Sequence, residues 1–197
     1  MKQINITRDS SGNVTFQTVS IDTSENVFFA NQDPKEAHWP DIATNQIGAA
    51  PSANSSQCTV TTPSSLLPPK NQVPYTCKLH SNEKGIINVF APLAAATTKL
   101  AKATKGTAIT KQQVVKGGMT PYKLGGQLFQ ILDPNGNVIQ SGSGNIGPGL
   151  TLTATTDNTG VWVSGTPTVS GTYQFTFTVD DGMGKNLQQV QYSMEVA

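Results

Sequence analysis

Residues 77 to 85 read CKLHSNEKG, and this stretch governs the interpretation of the amino half of the chain. It places Cys77 three positions before His80, with Glu83 three positions further on. Thiolate, imidazole and carboxylate side chains can together ligate a metal ion. Cys58 is the other cysteine of the chain, so Cys77 could instead form one structural disulfide with it. The stretch alone leaves both alternatives open.

The composition describes a turn-rich β protein. The chain has 197 residues, 18 of them glycine and 12 proline, with 7% aromatic residues. A net charge of +1 with 13% charged residues gives no basic face for nucleic acid or a membrane surface. No apolar run approaches the roughly 20 residues that cross a bilayer, so we expect no transmembrane segment. The amino end also lacks the apolar centre of a secretory signal.

The amino half shows short alternating segments separated by turn formers. Strands are predicted at 4–6, 13–21, 26–33, 58–62 and 85–92, because these segments are rich in β-branched and aromatic residues. Four prolines within 63–74 predict that this stretch contains no central strand. The Ala- and Lys-rich segment 94–107 is interpreted as a linker or short helix between a domain at 1–93 and a domain at 108–197.

The carboxyl half is more regular. The segment GQLFQILDPNGNVIQSG, residues 126–142, predicts a hairpin whose turn is PNGN. TYQFTFTV alternates so that Tyr173, Phe175, Phe177 and Val179 share one face. VQYSMEV at 190–196 alternates in the same way. Half-buried strands at such short intervals predict an antiparallel sandwich.

This half also resembles a known family. VVKGGMTPYKL, GPGLTL and GVWVSGTPTVSGTYQFTFTVDDGMGKN follow one another between residues 108 and 197. In that order they resemble the bacterial immunoglobulin-like domains, in which turn residues such as Gly165, Pro167 and Gly171 set the corners. The resemblance implies a secreted or surface module that acts as a spacer or binds a ligand and carries no chemistry of its own.

The two histidines of the chain connect the opening stretch to a second family. His38 lies in NQDPKEAHWP, after an alternating strand, and His80 follows Cys77 in YTCKLHSNEKG. The N-x-D loop before His38 and the series Tyr75, Cys77, His80 and Gly85 resemble the cupredoxins over residues 1–93. The resemblance implies an all-β fold of two sandwiches, a cupredoxin-like Greek key followed by the immunoglobulin-like domain. It also implies copper as cofactor, with His38, Cys77 and His80 as equatorial ligands.

Two positions depart from the cupredoxin pattern. Glu83 stands where the family has its axial methionine, and a hard carboxylate there should favour Cu(II), lower the reduction potential and shift a blue site toward a red one. Cys58 is an extra thiol. A disulfide between Cys58 and Cys77 would remove the thiolate and with it the copper, while stabilising the domain by roughly 3 kcal/mol.

Two functions follow as alternatives. The first is a copper-binding protein that transfers one electron at a time to and from a redox partner protein, with the immunoglobulin-like domain as a spacer or binding module. The second is a metal-free secreted or surface adhesion protein that binds a cell-surface ligand and carries the Cys58–Cys77 disulfide. Both describe a carrier or binding protein rather than an enzyme, and both place it in the periplasm or outside the cell.

Overall fold

The computed structural model describes residues 2–41, 56–61, 71–188 and 190–197, and of residues 56–61 and 71 it describes the backbone alone. The chain divides into two units, Met1–Ala91 and Pro92–Ala197. Every regular secondary-structure element within the described residues is a β-strand. No helix in that part of the chain is long and apolar enough to cross a bilayer. The prediction of an all-β protein built from β-sandwiches is confirmed.

The first unit has two sheets of four strands each in the described residues. Their strands are β1 (Lys2–Arg8), β2 (Val14–Phe16), β3 (Val19–Asp22), β4 (Asn26–Asn31), β5 (Pro40–Asp41), β6 (Ser56–Thr61), β7 (Asn71–Cys77) and β8 (Lys84–Phe90). One sheet has the order β2-β1-β4-β6 and the other β3-β8-β7-β5. β1 is parallel to β4 and β3 is parallel to β8. The remaining neighbours are antiparallel.

The inward faces of the two sheets share one core. Alternate residues of each strand point inward, as the period of two in a strand requires. These are Ile4, Ile6, Val27 and Phe29 from the first sheet and Ile21, Val73, Tyr75, Ile87 and Val89 from the second. Cys77 lies two residues after Tyr75 on the same face of β7 and is itself buried. The thiol therefore lies at the end of the core, where the β7–β8 turn begins.

Prolines predict no central strand within 63–74, and the last four residues of that stretch belong to a strand that is paired there on one side only among the described strands. β7 begins at Asn71 and runs between β8 and β5. β5 pairs with β7 only at Thr76 and Cys77, so the part of β7 that contains Pro74 has β8 as its one partner among the described strands. An edge position of this kind tolerates the missing amide of proline. Residues 62–70 lie outside the described part of the chain.

The second unit is built from nine strands in its described residues. They are β9 (Ala94–Ala95), β10 (Gln112–Lys116), β11 (Lys123–Leu132), β12 (Val138–Ser143), β13 (Leu150–Ala154), β14 (Gly160–Gly165), β15 (Gly171–Asp180), β16 (Asn186–Leu187) and β17 (Tyr192–Val196). One sheet has the order β9-β10-β14-β13. In the other, β12 pairs with β11, β11 with β15, and β15 with both β16 and β17.

This strand order is that of an immunoglobulin-like sandwich. If β9 to β15 and β17 are lettered A, B, C, C′, D, E, F and G, the two sheets read A-B-E-D and C′-C-F-G. Tyr173 lies near the start of the F strand, and its hydroxyl donates to the carbonyl of Val169 at 3.0 Å. A tyrosine in this place that bonds the backbone just upstream is a hallmark of the fold. The predicted inward face of Tyr173, Phe175, Phe177 and Val179 is fully buried.

The predicted linker at 94–107 is wrong, because this segment belongs to the second unit. β9 pairs with β10, and Leu100 is buried in the core of the second unit. Lys99 and Ala103 form parallel bridges to the last strand, at Ser193 and Val196. The division between the units therefore falls before residue 92, and the chain enters the second sandwich almost at once.

Candidate metal centre

Four side chains singled out in the sequence converge at one end of the first unit. His38 lies in the loop between β4 and β5, Cys77 is the last residue of β7, and His80 and Glu83 lie in the turn between β7 and β8. One ligand atom from each of the four lies within 4.8 Å of all the others. The structure thus brings together His38, Cys77, His80 and Glu83.

Cys77, His80 and Glu83 are spaced three residues apart, and backbone hydrogen bonds of the turn hold them close together. The amide of His80 donates to the carbonyl of Cys77 at 3.3 Å, and the amide of Glu83 donates to the carbonyl of His80 at 3.0 Å. The amide of Cys77 in turn donates to the carbonyl of Glu83 at 3.0 Å, which closes the loop. These bonds bring the three side chains to the same end of the sheet.

Among three separations between the donor atoms, two suit a single ion. Sγ of Cys77 lies 3.5 Å from Nδ1 of His80. Oε2 of Glu83 lies 3.3 Å from that nitrogen and 2.9 Å from Nδ1 of His38. Two donors bound to the same ion at ordinary N, O and S distances stand about 3.3–4 Å apart. The His38–Glu83 separation is shorter and is that of a hydrogen bond.

Cys77 is free in the structure and closed off from solvent. Its residue exposure is 2%, and the backbone amide of Trp39 donates to Sγ at 3.3 Å. Burial raises the pKa of the thiol above its ordinary value, and the neighbouring backbone amides oppose this in part. Cys58 lies opposite Phe29 in the β4–β6 pairing, and its side chain is outside the described part of the chain. Cys77 carries no disulfide bond in the structure.

The N-x-D loop that precedes His38 shapes the approach of the imidazole. The side chain of Asn31 accepts from the amide of Asp33 at 3.0 Å and donates to the carbonyl of Glu36 at 2.8 Å. Asp33 then reaches Nε2 of His38 at 2.7 Å, and both side chains are fully buried. The edge of the His38 ring also meets Phe16, with centroids 5.9 Å apart. Nδ1 is thereby directed toward Glu83 and the other donors.

Arg8 is a participant that the sequence analysis missed. Its guanidinium contacts Asp33 through Nε and Nη2 at 2.7–3.0 Å and contacts Glu36 through Nη2 at 2.6 Å. The Arg8 guanidinium holds the pKa of the Asp33 carboxyl well below its usual range. Arg8 is the only arginine of the chain, and this was the one feature of the sequence that could have drawn attention to it. Its pairing partner could not be read from the sequence, because it depends on the parallel alignment of β1 and β4.

The two imidazoles differ in their access to solvent. The side chain of His38 is completely buried, whereas that of His80 is 35% exposed. Nε2 of His80 lies 3.7 Å from Oε2 of Glu36, whose side chain is also exposed. Leu79 is half exposed beside it, and the Lys78 ammonium lies 4.9 Å from the ring centre of Trp39. His80 is therefore the donor through which this cluster meets the surface.

Comparisons with known proteins find weak structural similarity alone. No family model and no curated protein matches the chain. An endo-fucoidan hydrolase from glycoside hydrolase family 107 matches with a TM-score of 0.31 and 10% identity over 92% of this chain, which spans 28% of that chain. The fibronectin(III)-like modules of Clostridium thermocellum CbhA give 0.29 and 10%, covering 91% of this chain and 89% of theirs. The polymeric immunoglobulin receptor ectodomain of a teleost fish gives 0.28 and 10%, covering 98% of both chains. Similarity at this level carries no inference about function.

Proposed function

We propose that the first unit is a cupredoxin-like copper protein that transfers one electron at a time. The observation that carries the proposal is the convergence of one thiol, two imidazoles and one carboxylate within 4.8 Å. A thiolate and two imidazoles are the donor set that suits copper in both of its oxidation states. The fit therefore rests on the chemistry of the donors and on their spacing.

In this proposal Cys77 and the Nδ1 atoms of His38 and His80 hold the metal, and Glu83 supplies a fourth, oxygen ligand. When bound, copper supplies a Cu(I)/Cu(II) couple that takes one electron from a reduced partner protein and gives one to an oxidised partner. The carboxylate of Glu83 adds negative charge beside the thiolate and so favours the more positive oxidation state. We therefore assign the centre a low reduction potential and a red rather than blue spectrum.

The protein framework contributes rigidity and a route to the surface. Cys77 ends a strand, and the turn to Glu83 is closed by backbone hydrogen bonds, so three of the donors are held by one element. His38 is held by Asp33 on the side away from the other donors. Donors that stay in place in both oxidation states keep the reorganisation energy small. His80, with its partly exposed ring, offers the partner protein the shortest path to the centre.

The second unit is assigned the role of a spacer or binding module. Its immunoglobulin-like strand order and tyrosine corner describe a rigid sandwich. It contains no histidine and no cysteine, so the thiolate and imidazoles of the proposed centre all come from the first unit.

The test is a titration of reduced Cys58→Ser protein with Cu(II), followed by its absorption spectrum. The substitution leaves Cys77 as the only thiol, so any thiolate-to-copper band reports on that residue alone. We expect a strong band between about 380 and 620 nm that saturates at one copper per chain. Cys77→Ser in the same background should abolish the band, and His38→Ala should weaken or shift it.

Absence of the band with the thiol count intact would exclude Cys77 as a ligand. A melting temperature that does not change with copper would then leave the second alternative, a metal-free binding protein. A band that persists in Cys77→Ser would show that the copper is bound elsewhere. Zn(II) serves as the colourless control, since it suits the same donors but gives no visible transition.

A further inference from the structure

Asp33, which forms an ion pair with Arg8, contacts His38 on the side away from the other donors. We propose that Arg8 and Asp33 are positioning residues that fix the orientation and tautomer of His38 and set the charge felt by the metal. The proposal rests on the copper function proposed above and assigns the residues that tune that centre. Neither residue is a ligand, and both would act through the imidazole.

The first step of the argument is the orientation of the ring. Oδ2 of Asp33 lies 2.7 Å from Nε2 of His38, and both side chains have no exposure to solvent. A carboxylate paired with a guanidinium only accepts hydrogen bonds, so it requires a proton on Nε2. In the metal-free protein Nδ1 shares a hydrogen bond with Oε2 of Glu83 at 2.9 Å, and a metal ion bound at Nδ1 would replace that bond. A carboxylate behind a ligating imidazole fixes the tautomer in this way and makes the imidazole a stronger donor.

The second step concerns Asp33 itself, whose oxygens are fully engaged. Oδ1 accepts from the backbone amide of Lys35 at 2.9 Å and from Nε of Arg8 at 3.0 Å. Oδ2 accepts from Nε and Nη2 of Arg8 and also contacts His38. The carboxylate therefore has little freedom to rotate, and its contact with Nε2 restricts the orientation of the imidazole as well.

The third step excludes a second metal at this place. Asp33, Glu36 and His38 also bring ligand atoms within 4.8 Å of one another. The guanidinium of Arg8 already occupies the space between the two carboxylates, with Nη2 2.7 Å from Asp33 and 2.6 Å from Glu36. Arg8 thus supplies the positive charge that a second ion would bring. It compensates Asp33 and leaves the donors on the far side of His38 available.

The experiment compares Asp33→Asn, Arg8→Gln and Arg8→Lys in the Cys58→Ser background. Asp33→Asn removes a negative charge behind His38, and we expect Cu(II) affinity to fall about 10–100-fold. If the loss is confined to Cu(II), the potential rises by about 59 mV for each tenfold loss. Arg8→Gln leaves the Asp33 charge uncompensated, so its potential should fall. Arg8→Lys keeps the charge and should stay near the parent value.

Opposite shifts distinguish electrostatic tuning from a loosened fold. Shifts in the same direction for Asp33→Asn and Arg8→Gln, or affinities and potentials unchanged within about twofold, would overturn the proposal. If Arg8→Gln does not fold, the comparison of Asp33→Asn with Arg8→Lys decides, because only the former should move the potential. Asp22→Asn is the matched control, since Asp22 is another buried carboxylate of the first unit and lies outside the cluster.

A second measurement needs no copper and separates this proposal from the copper function. In metal-free protein labelled with ¹⁵N, the Nε2–H of His38 should exchange slowly with water and give its own resonance. Asp33→Asn should accelerate that exchange, whereas Asp22→Asn should not. An Nε2–H that exchanges equally fast in all three proteins would overturn the positioning role. A protein that binds no copper but shows the protected proton would overturn only the copper function.

Discussion

Gly85 faces the ring of Tyr75 across the β7–β8 pair, and this contact explains two positions of the sequence pattern at once. A Cβ at residue 85 would lie 2.2 Å from the Tyr75 hydroxyl oxygen and 2.3 Å from the carbon that bears it. The tyrosine cannot move away, because it is buried against Phe16 and Phe29. The pattern therefore encodes a close packing contact that supports the β7–β8 turn.

Gly85→Ala is accordingly expected to destabilise the first unit by about 1–3 kcal/mol, the ordinary cost of overpacking a core. Chemical unfolding followed by Trp39 fluorescence measures this, with Trp162→Phe as the parent protein so that one tryptophan remains in the chain. Ser81→Ala is the control, because Ser81 is an exposed residue of the same turn in the first unit. Equal stability of the parent and Gly85→Ala would contradict the contact.

The raised pKa of the Cys77 thiol predicts how the proposed copper binding depends on pH. Burial raises the pKa of its thiol, so at neutral pH the metal-free protein carries the protonated form. Binding requires the thiolate and must release that proton, so affinity should increase with pH. We expect at least a tenfold gain in Cu(II) affinity per pH unit between about pH 6 and pH 8. Competition with a chelator of known pH dependence measures it, and a flat profile would show that the thiol does not ligate.

At the scale of elements, the grouping of side chains at the β7–β8 turn was readable from the sequence, whereas strand β7 before the turn was not predicted. Cys77, His80 and Glu83 follow one another at short spacing, and local backbone hydrogen bonds are enough to bring them together. His38 was added by family resemblance, and its place depends on a loop from the other sheet. Sequence analysis did not predict the contact between Arg8 and Asp33, because this contact depends on how β1 and β4 align. Local spacing was readable, whereas pairing between distant strands was not.

Glu83→Met tests the contribution of this turn to the character of the centre. Methionine replaces an anionic oxygen with a soft, neutral thioether, which favours Cu(I). We expect a higher reduction potential and a charge-transfer band that moves toward about 600 nm. Voltammetry and absorption spectra of the copper-loaded proteins check this. The isosteric Glu83→Gln is the control, because it removes the charge without supplying sulfur, and an identical spectrum in all three would show that residue 83 does not touch the metal.

The boundary between the units shows a different limit of sequence analysis. Leu100 is the only leucine in an Ala- and Lys-rich stretch, and it is buried in the second core. A single apolar residue has no periodicity, so the segment resembled a linker. Its bridges to Ser193 and Val196 form only once the last strand of the chain is in place. In the long alternating strands, by contrast, the sequence pattern alone identified the residues of the inward face.

For the molecule as a whole, copper should stabilise the first unit against unfolding. All four proposed donors belong to that unit, and a ligand present at a hundred times its dissociation constant adds about 2.7 kcal/mol to the free energy of unfolding. In the Trp162→Phe protein, Trp39 fluorescence should therefore report a higher unfolding midpoint when Cu(II) is added. Cys77→Ser in the same background should show no such shift. A parent midpoint independent of copper would contradict metal binding by the folded unit.

The parallel alignment of β1 with β4 has a consequence for the order of events during folding. His38 and Cys77 are far apart along the chain, and Asp33, which contacts His38, is paired with Arg8. Three distant segments must therefore meet before this cluster exists. Closing such long loops is slow and is completed only as the two sheets assemble. If the first unit binds copper as proposed, the metal would be acquired late, by a sandwich already formed, and its binding would not alter how this chain reaches its native topology.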